Sequence, residues 1–153
     1  MAAPAYLLDT NILLRLSLPG GPFDEMVVSA VGRLVAEGAT LLYTLQNAAE
    51  FWNVCTRPRE RNGLGLHIRE ADRRLQLIEQ QFLLLPETEA AYAQWRRIVV
   101  ECGVSGAQVH DARLAAVMRV HNFSYLLTLN PRDFERFTGL TPVHPDDLRP
   151  PVT

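Results

Sequence analysis

Two rhythms of apolar and polar residues run along this chain: short unbroken apolar runs, and longer stretches in which apolar residues return every three or four positions. The first kind reads as strands buried on both faces, the second as helices with one face on a core. Ala5 to Leu8, Ala39 to Tyr43, Phe82 to Leu85 and Tyr125 to Thr128 are four such runs, and Thr141 to Val143 can add a short fifth strand. Between them the spacing predicts helices over Ile12 to Ser17, Asp24 to Glu37, Leu45 to about Thr56, His67 to Gln81 and Thr88 to Cys102. Punctuation supports these limits. Pro19-Gly20-Gly21-Pro22 breaks the first helix, Gly38 suits the position just past the second, and Thr44 suits the cap of the third. Ser105-Gly106-Ala107-Gln108 has the spacing of a capping box and is expected to open a last helix reaching about His121. Strands alternating with helices predict an α/β fold with a mostly parallel sheet, and 153 residues are expected to form a single domain, 1–153.

The helical stripes are read first as core or partner surface. Leu45, Ala48, Ala49, Trp52 and Cys55 share one face of the third helix, while Gln46, Glu50, Asn53 and Arg57 share another. Ile68, Ala71, Leu75 and Ile78, and then Tyr92, Trp95, Val99 and Cys102, line the next two helices. This is more apolar surface than a core of this size needs, so a homodimer is expected.

Composition removes several classes. No run approaches the length of a membrane span, and no basic segment leads into an apolar signal core, so a cytoplasmic protein without membrane contact is expected. Cys55 and Cys102 lack the spacing of zinc ligands or of a disulfide framework. All fifteen Lys+Arg residues are arginine. Without lysine there is no phosphate-binding P-loop and no Schiff base. The net charge of −2 leaves phosphate contacts to local arginine patches, and Arg57, Arg59 and Arg61 beside Asn62-Gly63-Leu64-Gly65 form one. An exposed, solvated loop is the plainer reading of the same arginines.

Carboxylates sit where such a sheet does its chemistry. Asp9, Thr10 and Asn11 follow the first strand, and ligands of open parallel sheets bind outside the strands' carboxyl ends. Asp9 could equally be only a helix cap. Glu50 falls about a turn and a half beyond the second strand. Asp111 has Leu114, Ala115 and Met118 as helical neighbours, so it points along a face that packs on the sheet. A carboxylate buried there needs a cation or a strong donor. His110 points elsewhere and is taken as structural. Thr128, Asn130 and Asp133 follow the fourth strand. Converging carboxylates require something positive among them, and hard oxygen ligands suit Mg²⁺, or Mn²⁺, over zinc. Mg²⁺ held by a few carboxylates and waters serves phosphoryl chemistry, which points to hydrolysis of a phosphodiester.

Asp9-Thr10-Asn11, Glu50, His110-Asp111-Ala112 and Thr128-Leu129-Asn130-Pro131-Arg132-Asp133-Phe134 together resemble the PIN domain over nearly the whole chain. With Phe51-Trp52-Asn53 and Asn62-Gly63-Leu64-Gly65 the order is similar to VapC-type toxins of bacterial toxin–antitoxin pairs. The resemblance implies a three-layer α/β/α sandwich, Mg²⁺-dependent ribonuclease activity on RNA, a homodimer, and a cognate antitoxin that masks the site. By the same resemblance Asp9, Glu50 and Asp111 match the metal-binding acids, and Thr10, Asn11 and Thr128 the polar residues that orient them. The chain departs from the pattern at Asn130, where the family often has Asp. Asp133 either takes the fourth acidic place or caps the following helix. Asn130 also motivates the alternative of a PIN-like module that binds RNA or a partner without cutting. A haloacid-dehalogenase-like phosphatase and a receiver domain both need a lysine that this chain lacks.

Overall fold

The computed structural model of the protein describes residues 3–18, 21 and 24–148. Five strands, β1 (Ala5–Leu8), β2 (Thr40–Tyr43), β3 (Leu83–Leu84), β4 (Tyr125–Leu127) and β5 (Thr141–Val143), form one sheet in the order β3-β2-β1-β4-β5. Every pairing is parallel. Six helices connect them: α1 (Thr10–Ser17), α2 (Asp24–Ala36), α3 (Leu45–Thr56), α4 (Ile68–Gln81), α5 (Glu89–Glu101) and α6 (Val109–Val120). Of the expected break after α1, Pro19, Gly20 and Pro22 lie outside the described residues.

Side chains of a strand alternate between faces, and β1 shows the consequence. Tyr6 and Leu8 join a core with α1, α2, α3 and α4, containing Ile12, Val27, Leu34, Phe51 and Ile78. Leu7 points the other way, into a second core with α5 and α6 that contains Ile98, Leu114, Ala115 and Met118. Helices on both faces make the expected three-layer α/β/α sandwich. The last strand is present as Thr141–Val143, paired with β4.

The chain winds from β1 through β2 to β3 on one side, then crosses to β4 and β5 on the other. Neighbouring connections therefore diverge between β1 and β4, which is where an open parallel sheet leaves a crevice at its carboxyl ends. Backbone bonds continue the ladder to that point, from Asp9 N–H to Leu127 O at 3.0 Å and from Thr128 N–H to Val143 O at 3.0 Å.

Three expectations are corrected. The Ser105 capping box does not form. Gly106 adopts a left-handed φ of +64° and opens a 3₁₀ turn over Gly106–Gln108, so α6 begins at Val109 and Ser105 makes no side-chain cap. Gln108, which would have closed the box, instead accepts a hydrogen bond from Arg136. On α3 the buried positions are Gln46, Asn47, Phe51 and Cys55, whereas Leu45 is 64% exposed. The helix is turned so that two amides, not Leu45 and Ala49, face inward. Finally, Leu83 and Leu84 are both exposed because β3 is an edge strand, and Phe82 and Leu85 on either side carry the burial.

Candidate active site

Asp9 ends β1 and caps α1. Its Oδ1 accepts the Thr10 N–H at 2.8 Å, and its Oδ2 accepts the Thr128 hydroxyl at 2.7 Å. Thr128 is fully buried at the end of β4, and its own oxygen accepts the Asn130 N–H at 3.1 Å. Both carboxylate oxygens of Asp9 are thus fixed from the two strands that flank the crevice. Asn11 ties the same loops together, its Oδ1 accepting the Leu129 N–H at 3.3 Å.

Glu50 is brought in by the start of α3. Thr44 and Asn47 form a reciprocal capping box there: the Thr44 hydroxyl accepts the Asn47 N–H, and Asn47 Oδ1 accepts the Thr44 N–H at 2.9 Å. The Asn47 amide then donates to the Thr10 hydroxyl at 3.2 Å, and that hydroxyl donates to Glu50 Oε2 at 2.7 Å. Gln46 holds the other oxygen, donating to Glu50 Oε1 at 3.0 Å and to the His110 carbonyl at 2.8 Å. Through these two amides α1, α3 and α6 are held around one point. Gln46 and Asn47 were not anticipated from the sequence. The Thr44-x-x-Asn47 spacing and the i,i+4 step from Gln46 to Glu50 were the available signals.

Asp111 lies in the first turn of α6, half-buried, with Leu114, Ala115 and Met118 beneath it as expected. Burial pushes its carboxyl up to about 6, and the charges of Asp9, Asp133 and Glu50 add to the rise. No hydrogen bond from the described residues offsets them. Asp9 is also raised, chiefly by burial, against the pull of its bonds from Thr128 and Thr10, with Glu50 and Asp133 adding repulsion. Asp9 and Asp111 thus both feel the charges of Glu50 and Asp133, so acids from four segments lie within electrostatic reach of one another. Asp133 sits exposed in the 3₁₀ turn Pro131–Phe134, and Asn130 precedes that turn without capping it through its side chain.

Among the described residues, no three His, Cys, Asp or Glu side chains are already drawn into a metal cage. Like charges hold one another apart, and Mg²⁺ takes only one or two carboxylates directly and keeps several waters. The donor set fits that ion: hard oxygens from Asp9, Glu50 and Asp111. A further acceptor lies alongside, Gln46 Oε1, buried without a partner among the described residues.

The arginine patch is elsewhere. Arg57 begins the loop after α3, seven residues or about 10 Å along the helix axis from Glu50. Its guanidinium turns back on the loop and donates to the Asn62 carbonyl at 2.9 Å. Arg59 and Arg61 are exposed. His110 contributes its backbone carbonyl to Gln46 while its ring is exposed.

A switch point in a parallel sheet is where such folds bind ligands, here among carboxylates, and the family follows from comparison. Residues 6–140 match the family model of the PIN domain, so the chain belongs to the PIN-domain family, a family of nucleases. No curated protein matches it in sequence. Among solved structures it is similar to VapBC2 from Rickettsia felis bound to a DNA fragment from their promoter, with a TM-score of 0.70 at 15% identity over 92% of this chain and 98% of that one. VapBC-1 from nontypeable Haemophilus influenzae gives a TM-score of 0.66 at 20% identity, over 92% and 98%. VapC20 from Mycobacterium tuberculosis, a Sarcin-Ricin loop cleaving toxin, gives 0.55 at 18% identity, over 79% and 86%. No described helix is long and apolar enough to cross a membrane.

Proposed function

We propose that the protein is a Mg²⁺-dependent endoribonuclease of the VapC type, a cytoplasmic toxin neutralised by a cognate antitoxin. The observation that carries this reading is the gathering of acids at the β1/β4 crevice: Thr10 binds both Asp9 and Glu50, and the charges of Glu50 and Asp133 add to the raised carboxyls of Asp9 and Asp111, the latter pushed up to about 6. PIN-domain membership and the likeness to VapBC pairs support it.

Asp9, Glu50 and Asp111 would hold the ion, with Asp133 at the rim as the fourth acid and Asn130 as a neutral oxygen donor. Mn²⁺ would suit the same ligands. When bound, the ion supplies charge neutralisation at the phosphate and an activated water. The chain's part is orientation. Thr10 and Thr128 fix the oxygens of Asp9, Thr10 and Gln46 fix those of Glu50, and Asn11 holds the two strand ends in register. Water adds to phosphorus and one P–O ester bond breaks, leaving a phosphomonoester and a free hydroxyl. Arg59 and Arg61 suit contacts with the RNA backbone away from the reacting phosphate, and Arg57 braces their loop.

Two partners complete the reading. A second copy would cover the exposed apolar side of α3, α5 and β3, where Leu45, Leu83 and Tyr92 are each more than 60% exposed. The antitoxin would mask the acids. A non-cleaving PIN-like module that binds RNA or a partner is the alternative favoured by Asn130, which brings no charge to the fourth acidic place.

The test is purified protein on a mixed RNA pool, with Mg²⁺ or with chelator. Cleavage that needs the metal and disappears in Asp9→Asn is expected. RNA left intact under both conditions would remove the nuclease reading and leave the binding module.

A further inference from the structure

Beside the acids, between α1 and the loop after β4, lies a cavity of about 430 Å³ lined by Asn11, Leu14, Arg15, Leu129, Asn130 and His144. It lies next to Asp9, because the Asn130 N–H donates to the Thr128 hydroxyl, which in turn donates to Asp9 Oδ2. No carboxylate is part of this lining, and its polar groups present donors. Asn11 Oδ1 already accepts from the Leu129 N–H, which leaves the amide NH₂ as the group with bonds to give. His144 Nδ1 accepts the Asp146 N–H at 3.1 Å. With Nδ1 accepting, Nε2 is the ring nitrogen left to donate. Arg15 brings a permanent charge. It lies 3.8 Å from Asp24, with 38% of its side chain exposed, and a guanidinium has five N–H donors to share among several acceptors. Leu14 and Leu129 supply apolar wall.

A hollow that offers donors and one cation, set against a ring of carboxylates, suits an anion that must lie next to the acids. We propose that it seats a phosphate of the RNA strand flanking the one that reacts, with Arg15 and His144 Nε2 as its principal contacts and the Asn11 and Asn130 amides beside them. This rests on the nuclease reading above and adds a binding site to it. The electrostatics give the site a purpose. A chain of net charge −2 with acids at its centre repels a polyanion, so a cation beside those acids is where an anchor on the strand acts most strongly. Arg59 and Arg61 lie in a turn beyond the end of α3 and are not part of this lining.

The test uses the full chain in Mg²⁺ and a fluorescently labelled, mixed-sequence single-stranded RNA, following cleavage kinetics at several salt concentrations. Arg15→Gln and His144→Ala should each raise KM several-fold and leave kcat nearly unchanged, the mark of lost binding that is equal in ground and transition states. Arg15→Gln should also reduce the slope of log KM against log salt by up to about 0.7. Arg15→Gln also loosens Asp24, so a thermal melt checks that it is folded, and His144→Ala carries the test if it is not. A parent that cleaves RNA while His144→Ala, and folded Arg15→Gln, keep its KM would overturn the subsite and leave the nuclease standing. Loss confined to kcat would also overturn it, making these residues supports of the acids. A parent that cleaves no RNA removes both.

Discussion

Asp111 is the residue on which burial and repulsion act together. Its folded carboxyl is held up to about 6 against an ordinary value of 3.8. Between those values the folded protein keeps a proton that the unfolded chain has released, so stability falls as pH rises through the window. Without divalent metal, the parent should lose stability from pH 3.8 toward about 6, and Asp111→Asn should lose less. The difference is on the order of 1 kcal/mol once the half-exposed position is discounted for solvent screening. Glu70, lowered from 4.5 to about 2 by its bonds from Arg73 and Arg74, acts with the opposite sign and overlaps this window only at its lower end. Urea titrations of both proteins across the window measure the effect, and parallel pH profiles would contradict it. The place of Asp111 was legible because Leu114, Ala115 and Met118 set its face. The inward turn of Gln46 and Asn47 was not, since an amide on a helix reads as solvated unless its partners, here Thr10, Glu50 and the His110 carbonyl, are known.

At the level of elements, the start of α3 and the start of α6 show when a capping signal holds. Thr44 and Asn47 close a box because α3 leaves β2 directly and both residues are buried against α1. Ser105 and Gln108 have similar spacing, yet Gly106 in the left-handed region and the pull of Arg136 on Gln108 turn the segment into a 3₁₀ turn. The box pattern was the fuller at Ser105, yet the box formed at Thr44, so tertiary partners decided. Thr44→Ala should therefore cost about 1 kcal/mol in urea unfolding for the lost cap. It should also lower activity beyond what stability explains, because Asn47 then holds Thr10, and through it Glu50, less firmly. Full activity in a folded Thr44→Ala would show that the amide chain does not position Glu50. The existence and type of α1 to α6 were readable from apolar spacing, whereas exposure of the two-residue β3 depends on its place at the sheet edge.

Over the whole molecule, an α/β sandwich with a parallel sheet could be read from alternating strand and helix patterns. The strand order could not, because no local pattern states which strand lies beside β1. That order matters, since β1 and β4 as neighbours bring Asp9 to Thr128, and the charge of Asp133, just after β4, reaches Asp9. The exposed Leu45, Leu83 and Tyr92 belong to this scale too. Sedimentation at micromolar concentration should give a dimer, and Tyr92→Glu should shift it toward monomer. A parent that sediments as a monomer would remove the second copy from the account.

That carboxylates from four segments form one metal-binding unit is tested most directly by thermal melts of the parent and Asp111→Asn, each with chelator and with Mg²⁺. Removing one like charge from the metal-free cluster should relieve repulsion, so the variant should melt higher than the parent in chelator, by on the order of 1 kcal/mol. Mg²⁺ should stabilise the parent by mass action, roughly 2.7 kcal/mol at a hundredfold excess over its dissociation constant, and the variant by much less. A structural hydrogen-bond acceptor at Asp111 would give the opposite sign in chelator. The variant would then be about 1–3 kcal/mol less stable, with Mg²⁺ making no difference between the two proteins.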